Sequence, residues 1–514
     1  MTIKTILINI VLLGIMSCCT QPILREGTNY YLDARNGNDS NDGLSPKTAW
    51  KNTEKIRTIH LKAGDSILLN RESVFTGLLE IEGKGRSDCR IVIDAYGSGK
   101  KPCITAPDSS LYAVLIKNSD YVTLQNIEVI NTGSERIPYR TGVKVLCEDY
   151  GISRNIILNA LNIHDVNGSL VKKAGGGSGI LIENKWKETV STFDSLLIEN
   201  CIIRRCERNA IIWSAPWDRK NFHPSTHTIV RRNLIEEVPG DGIVPIGCDG
   251  ALVEYNLMRN CTDLLAIDEA AAGMWPWSCD NTIIQFNEVS DHKAPWDGQG
   301  FDSDFNCNNT TIQYNYSHDN QGGFILICNA GKVDTTKSVG NIGTHVQFNT
   351  SINDAIRTRK THAGTYFSPT IHIGGPTKDT RINNNILHVN IKPSATVERC
   401  IVASENWDGY ASNTNFTENV FYVPQQSEFR LTKSTNNTFS GNYYIGNFKN
   451  IPQDDKGQNQ STFYNSMIEK DSTGFESLSF LRKKLEIADG NAEITVIDKE
   501  AIESFFVKMK NENR

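Results

Sequence analysis

Between residues 28 and 475 the chain alternates short β-branched runs with polar turns, and the alternation repeats. A run ends on asparagine again and again: Val122-Thr-Leu-Gln-Asn126, Leu196-Leu-Ile-Glu-Asn200, Thr282-Ile-Ile-Gln-Phe-Asn287, Thr311-Ile-Gln-Tyr-Asn315. Asn162, Asn233, Asn256, Asn349, Asn385, Asn419 and Asn442 continue the series at spacings between 23 and 38 residues. The shortest spacing fits one coil of three strands and three turns, and the longer ones are coils with insertions. Coils of this kind stack about 4.8 Å apart, so that equivalent side chains form columns. No coil can bury its apolar face alone, so the solenoid needs neighbours and end caps. Asparagine tolerates left-handed backbone and bonds its neighbours; the repeat predicts a structural asparagine ladder.

A second register runs through four glycine-led segments: Gly242-Ile-Val-Pro-Ile, Gly273-Met-Trp-Pro-Trp, Gly300-Phe-Asp-Ser-Asp and Gly323-Phe-Ile-Leu-Ile. In a strand, the first and third residues after glycine share one face and the second and fourth the other. Aligned on glycine, with Gly179-Ile-Leu-Ile-Glu and Ala210-Ile-Ile-Trp-Ser before them, the outward columns read Leu181, Ile212, Val244, Trp275, Asp302, Ile325 and Glu183, Ser214, Ile246, Trp277, Asp304, Ile327. Long insertions at 164–178, 215–227, 260–272, 291–299 and 354–368 border this face, which marks it as a binding groove. Residues 45–61 read as a short helix covering one end. Residues 476–514, charged and with helical patterning over Leu478–Leu485 and Lys499–Met509, read as a cap for the other.

Composition narrows the class. The chain has 514 residues, 39% of them hydrophobic, and a net charge of −6, which gives no reason to expect nucleic-acid binding. Lys4, the apolar run to Met16 and Ser17-Cys18 form a targeting segment over residues 1–19, and residues 20–27 form a tether. Ile15-Met-Ser-Cys18 resembles a bacterial lipoprotein box, implying cleavage before Cys18, a lipid on its thiol and attachment to the outer membrane. Thirteen cysteines without a CxxC pair argue against zinc. Cys248, Cys279, Cys307 and Cys328 recur near one repeat position and read as a buried stack. The acidic loop 36–43 lacks the glutamate of a calcium-binding EF-hand loop.

Tyr31-Leu-Asp33, Gly37-Asn-Asp39, Asp42-Gly43, Ala49-Trp50, Gly64-Asp-Ser66 and Ile91-Val-Ile-Asp-Ala-Tyr96 together resemble the N-terminal part of secreted bacterial right-handed parallel β-helix proteins. The resemblance implies an all-β, single-domain parallel β-helix over 28–475. Gly273–Asp280, Asp297–Asp304 and Gln313–Phe324 resemble β-helix proteins of polysaccharide-degrading bacteria, which implies a carbohydrate-active function without fixing the reaction. Polygalacturonase signatures are absent, as is a lysine–arginine pair of the alginate-lyase kind; Lys172-Lys173 and Arg357-Thr-Arg-Lys360 are candidates for binding an acidic substrate.

Glycoside hydrolysis needs one carboxylic acid to protonate the leaving oxygen and a second to attack or to activate water. Asp302 and Asp304 on one strand face are the leading pair, with Asp241 and Asp297 as possible partners and His292 and His318 as bordering proton-transfer groups. Trp275 and Trp277 offer flat faces to sugar rings, and Glu183 and Glu269 are further substrate-binding candidates. The leading expectation is a monomeric, lipid-anchored glycoside hydrolase that needs no cofactor and acts on an oligo- or polysaccharide. A polysaccharide lyase using Ca²⁺ held by the aspartates, and a non-catalytic glycan-binding lipoprotein, are the alternatives.

Overall fold

In the computed structural model, residues 27–329, 331, 337–390, 399–458, 461–470, 472, 474 and 476–511 are described. The targeting segment, Cys18 and most of the tether lie outside them. The chain winds as a parallel β-helix of three long sheets. The first sheet runs from Asn29–Leu32 to Thr438–Ser440. The second climbs from Val74–Thr76 through Glu128–Asn131, Leu257–Arg259 and Tyr316–His318 to Tyr443–Phe448. The third begins with Leu79–Ile81, Tyr112–Lys117, Thr141–Glu148, Ser178–Lys185, Asn209–Ser214 and Ile243–Val244. Single bridges Ile243↔Met274↔Phe301 carry it on to Gln299–Ser303, Gly323–Cys328, Ile371–Gly374 and Cys400–Glu405. Every pairing among these three sheets is parallel, and the inward positions of all three meet in one core that includes Ile67, Val129, Ile180, Met274, Phe301 and Ile373.

The asparagine ladder exists, but it starts later and works differently from the expectation. From Asn233 each side-chain Nδ2 donates to Oδ1 of the next member, Asn256, Asn287, Asn315, Asn349, Asn385, Asn419 and Asn442, at 2.9–3.0 Å. The last member donates to Asp454 at 2.8 Å. All eight asparagines are fully buried. The left-handed residue of each turn is the one before the asparagine: Tyr255, Phe286, Tyr314 and Phe348 have φ of 53–56°. Such φ values are uncommon for bulky residues. Here the four rings stack on one another at 5.1, 5.2 and 5.4 Å. Asn126 and Asn200 take the left-handed position themselves (φ 58° and 56°), and Asn162 lies in a strand.

Both expected caps are corrected. Residues 45–61 form two 3₁₀ turns, Pro46–Thr48 and Thr53–Thr58, rather than one helix. Extended Ala49, and Trp50 bridged to Leu32, interrupt it. The C-terminal segment does not cover the end of the solenoid but folds back along its second sheet. Leu478, Leu481, Ile502, Phe505 and Met509 bury against Tyr316, Ile352, Ile386 and Val420. Ile487, Ile494 and Val496 cover Ile202, Leu234 and Leu257. The outward residues of this face are apolar, and the strip of chain along the side covers them. The stretch read as helical over Leu478–Leu485 is a 3₁₀ turn followed by Arg482–Ile487, which pairs antiparallel with Ala492–Ile497.

Candidate active site

The third sheet turns outward where the glycine register placed Asp302 and Asp304, but the coil after them is shifted by one residue. Gln299 pairs with Gly323, Phe301 with Ile325 and Ser303 with Ile327. Ile325 and Ile327 therefore face the core, and Leu326 and Cys328 continue the aspartate columns. The two glycines serve different ends. A Cβ on Gly300 would meet Ser317 Oγ at 2.6 Å, whereas one on Gly323 (φ +129°) would meet the Pro369 carbonyl oxygen at 2.2 Å. Cys328 thus leaves the expected cysteine stack, in which the Cys248 N–H donates to Cys279 Sγ at 3.4 Å. Its thiol instead donates to Asp304 Oδ1 at 3.0 Å.

Four carboxyl groups gather here in unlike surroundings. Asp241 is fully buried and well supplied: its Oδ1 accepts from the Ala272 N–H and Trp275 Nε1, each at 3.1 Å. Its Oδ2 lies 3.3 Å from the Arg208 guanidinium and 3.7 Å from Lys172 Nζ. Burial alone would raise its pKa, but Lys172 and Arg208 hold it below the usual carboxylate range. It is a constant anion that anchors the loops. Asp302 is 3% exposed, and its Oδ1 is buried with no hydrogen-bond partner among the described residues. Burial and then the charges of Asp304 and Asp297 push its pKa well up, which favours its protonated form.

The half-buried pair is Asp297 and Asp304. Burial and then the charge of Asp304 push Asp297 up to about 7. Asp304 is also raised by burial, but its Oδ1 accepts two hydrogen bonds, from Cys328 and from the Phe305 N–H, that favour the anion. Asp297 sits at φ 59° in the strand Trp296–Asp297, which pairs with Ala270–Ala271. Arg357 binds the Asp297 carbonyl at 2.7 Å and the Ala294 and Pro295 carbonyls at 3.0 and 2.9 Å, fixing that loop. Lys172 counters the charge of all four aspartates.

The remaining predicted residues lie elsewhere. Trp275 is 5% exposed, packed with Val244 and Ala272 under the 260–272 loop, so it offers no open face. Trp277 remains half-buried within a cluster with Trp217 (ring centroids 5.3 Å) and Phe305 (5.7 Å). Trp217 comes from the 215–227 insertion, is 37% exposed and was not singled out by strand patterning. His292 is fully buried against the Gly240 carbonyl at 3.0 Å, and burial lowers its pKa to about 4, so it stays neutral and away from substrate. His318 belongs to the second sheet. It bonds Asp319 at 2.7 Å and Glu288 at 3.3 Å, and the Glu288 carboxylate accepts from the N–H of Thr495 in the C-terminal hairpin. Burial works against its charge, but the two carboxylates raise its pKa to about 9. Glu183 is four coils from Asp304, about 19 Å at the usual spacing, in an ion pair with Lys144 at 2.5 Å. Glu269 is buried, accepting from the Lys172 N–H at 3.0 Å and facing Arg208 at 3.5 Å.

One oxygen of Asp302, one of Asp304 and Cys328 Sγ lie within 4.8 Å of one another. This is the single His, Cys, Asp or Glu grouping among the described residues with the spacing to hold a metal ion. It fits calcium poorly, since that ion takes six to eight oxygen ligands and this set offers a thiol and two carboxyls.

No family model matches the chain. Lacto-N-biosidase of Bifidobacterium longum subsp. longum is 25% identical to it over 84% of this chain and 31% of that protein. The chain therefore spans about a third of that curated relative's length. Two crystal structures of GH136 lacto-N-biosidase from Eubacterium ramulus superpose with a TM-score of 0.58 each, at 24% and 25% identity. They cover 80% and 77% of this chain and 68% of the solved one. The chain shares its parallel β-helix with these carbohydrate-active enzymes.

Proposed function

We propose that the chain is a glycoside hydrolase in which Asp297 is the general acid and Asp304 the carboxylate that works opposite it. The observation that carries this reading is the division of labour between the two half-buried acids. Asp297, raised to about 7, still carries a proton on about half of the molecules at neutral pH, whereas two donors on Asp304 Oδ1 favour its anion against the upward push of burial. Two carboxyls whose surroundings push their protonation apart is the arrangement that glycosidic bond cleavage requires. Asp297 protonates the leaving oxygen. Asp304 meets the positive charge that develops on the sugar, either by attack or through a water molecule. The upward shift of Asp302 limits the negative charge beside Asp304, and Lys172 restrains the field of the acids. Trp217, Trp277 and Phe305 supply an aromatic surface beside Asp304, suited to the apolar face of a sugar ring.

The likeness to two lacto-N-biosidases supports a glycosidase over a lyase and makes lacto-N-biose-terminated oligosaccharides the first substrates to try. The reaction proposed needs no metal. In the same reading the chain works as a monomer and is exported, held to the outer membrane through a lipid on Cys18. The test incubates protein lacking residues 1–19 with such oligosaccharides and with a polysaccharide panel, with and without EDTA. Reducing ends and the absorbance of unsaturated uronates are both followed. Reducing ends that appear without that absorbance, are unaffected by EDTA and vanish in Asp297→Asn and Asp304→Asn are the expected result. Uronate absorbance abolished by EDTA would instead establish a lyase. Glycan binding without any product would establish a binding protein.

A further inference from the structure

Cys328 is 2% exposed and stands one coil beyond Asp304 in the same outward column. Its thiol and the Phe305 N–H both donate to Asp304 Oδ1, and Oδ2 has no hydrogen-bond partner among the described residues. Beside them stands buried Asp302, whose Oδ1 is unpartnered, and one of its carboxyl oxygens, one of Asp304 and the thiol lie within 4.8 Å of one another. We infer that Cys328 is a positioning residue for the reaction: its S–H fixes the rotation of the Asp304 carboxyl so that Oδ2 faces the substrate. This rests on the hydrolase reading above and extends it to a residue that touches no substrate.

Burial and the charges of Asp304 and Asp302 keep the thiol protonated far above neutral pH, so it is a permanent donor. A carboxyl with both donors on one oxygen has one rotational state; with the backbone donor alone it swings about the remaining bond. Losing a donor to the anion also moves the proton affinity of Asp304 upward. The groups that face Asp304 and share in its titration are Asp241, Asp297, Asp302, Lys172, Cys307 and Cys328.

The test compares kcat and KM across pH 4–9 for the full chain, Cys328→Ala and Cys328→Ser, with melting temperatures measured alongside. Cys328→Ala is expected to lower kcat about tenfold at pH 5, the scale of one hydrogen bond to a charged group. Its acidic limb moves up and KM stays unchanged. Cys328→Ser, which keeps a donor, returns the limb most of the way. A Cys328→Ala profile that overlays the parent, or a Cys328→Ser variant no better than Cys328→Ala, overturns the inference. If Cys328→Ala does not fold, the serine variant decides alone: a limb within a few tenths of a pH unit of the parent supports the donor role, and a tenfold loss ends it. Asp304→Asn separates the two claims. If it remains active, the hydrolase assignment falls and this inference with it. If it is dead while Cys328→Ala is normal, only the cysteine's role is refuted.

Discussion

The asparagine column of the first turn and the acid cluster of the third sheet both bury polar side chains, but only the column satisfies them. Each asparagine from Asn233 to Asn419 donates to the next, and each Oδ1 from Asn256 onward also takes the N–H of the asparagine before it. The eight asparagines carry no charge, and the one carboxylate at the end of the column, Asp454, is held by hydrogen bonds from Asn442. In the cluster, the charge of Asp304 raises both Asp297 and Asp302, Asp302 Oδ1 is unpartnered, and the ammonium of Lys172 that counters these charges already lies 3.7 Å from Asp241. A satisfied network adds stability and specifies register. An unsatisfied one shifts proton affinities, and such shifts gather at functional sites. Mutation separates the two.

The largest expected effect lies in the cluster. Asp297→Asn and Asp304→Asn each lower kcat/KM about a thousandfold, within the range for loss of an acid or base. Their melting temperature at pH 7.5 is equal to the parent's or higher, since each removes one of several like charges. Initial rates and thermal melts on the same samples check this. A matching fall in stability would show that the acids hold the fold instead. The next effect lies in the column. Asn315→Ala leaves the N–H and Nδ2 of Asn287 without their shared acceptor and takes from Asn349 Oδ1 its side-chain donor, while the backbone N–H of residue 315 still reaches it. The cost is on the order of 2–4 kcal/mol in urea denaturation, with the pH profile of kcat unchanged.

The pH dependence contrasts Asp297 with the paired His318. A carboxyl raised to about 7 in the fold, from about 3.9 unfolded, binds its proton more tightly when folded. That contribution is complete below about pH 4 and is lost as pH rises towards 7. Asp297→Asn removes this slope, and in the active protein the same titration sets a falling limb of activity near pH 7. His318, raised to about 9 by Asp319 and Glu288, gives stability that is complete below about pH 6.5 and lost as pH climbs through 9. His318→Gln flattens only that upper window and leaves the activity limb alone. Chemical denaturation at half-unit pH steps resolves the two.

The fold was legible because a solenoid repeats its signal: asparagines at coil spacing and glycine-led strands fix one sheet after another. What repeats once was not. Gly300 and Gly323 look alike in the sequence, yet one faces Ser317 and the other the Pro369 carbonyl, and the one-residue shift in register between their strands sets Cys328 on Asp304. The carboxylates Asp241, Asp297, Asp302 and Asp304 were visible as a group, but which were buried depended on loops. Trp275 follows the outward pattern and is roofed by the 260–272 loop, while His292 and His318 border the groove strands in sequence and leave them in space. The seat of the C-terminal segment is illegible for a related reason: the apolar residues it covers, such as Ile386 and Val420, stand directly beside core residues Leu387 and Phe421 in the same short apolar runs.

The smallest effect tests which aromatic surface meets the sugar. Trp217 lies 5.3 Å from Trp277 and 5.8 Å from Phe305, while its carbonyl accepts from Ser278 Oγ at 2.7 Å and Asn306 Nδ2 at 3.0 Å. The backbone bonds hold residue 217 in place whatever its side chain, so Trp217→Ala removes the ring without releasing the insertion. Stacking against a sugar is uniform binding that does not change as the bond breaks. KM therefore rises about fivefold to tenfold, the scale of one aromatic contact, with kcat within twofold of the parent. Trp275→Phe is the matched control. It deletes the indole donor to Asp241 but exposes no new face, so it alters melting temperature more than KM. A Trp275→Phe variant that raised KM as much as Trp217→Ala would move the sugar back under the 260–272 loop.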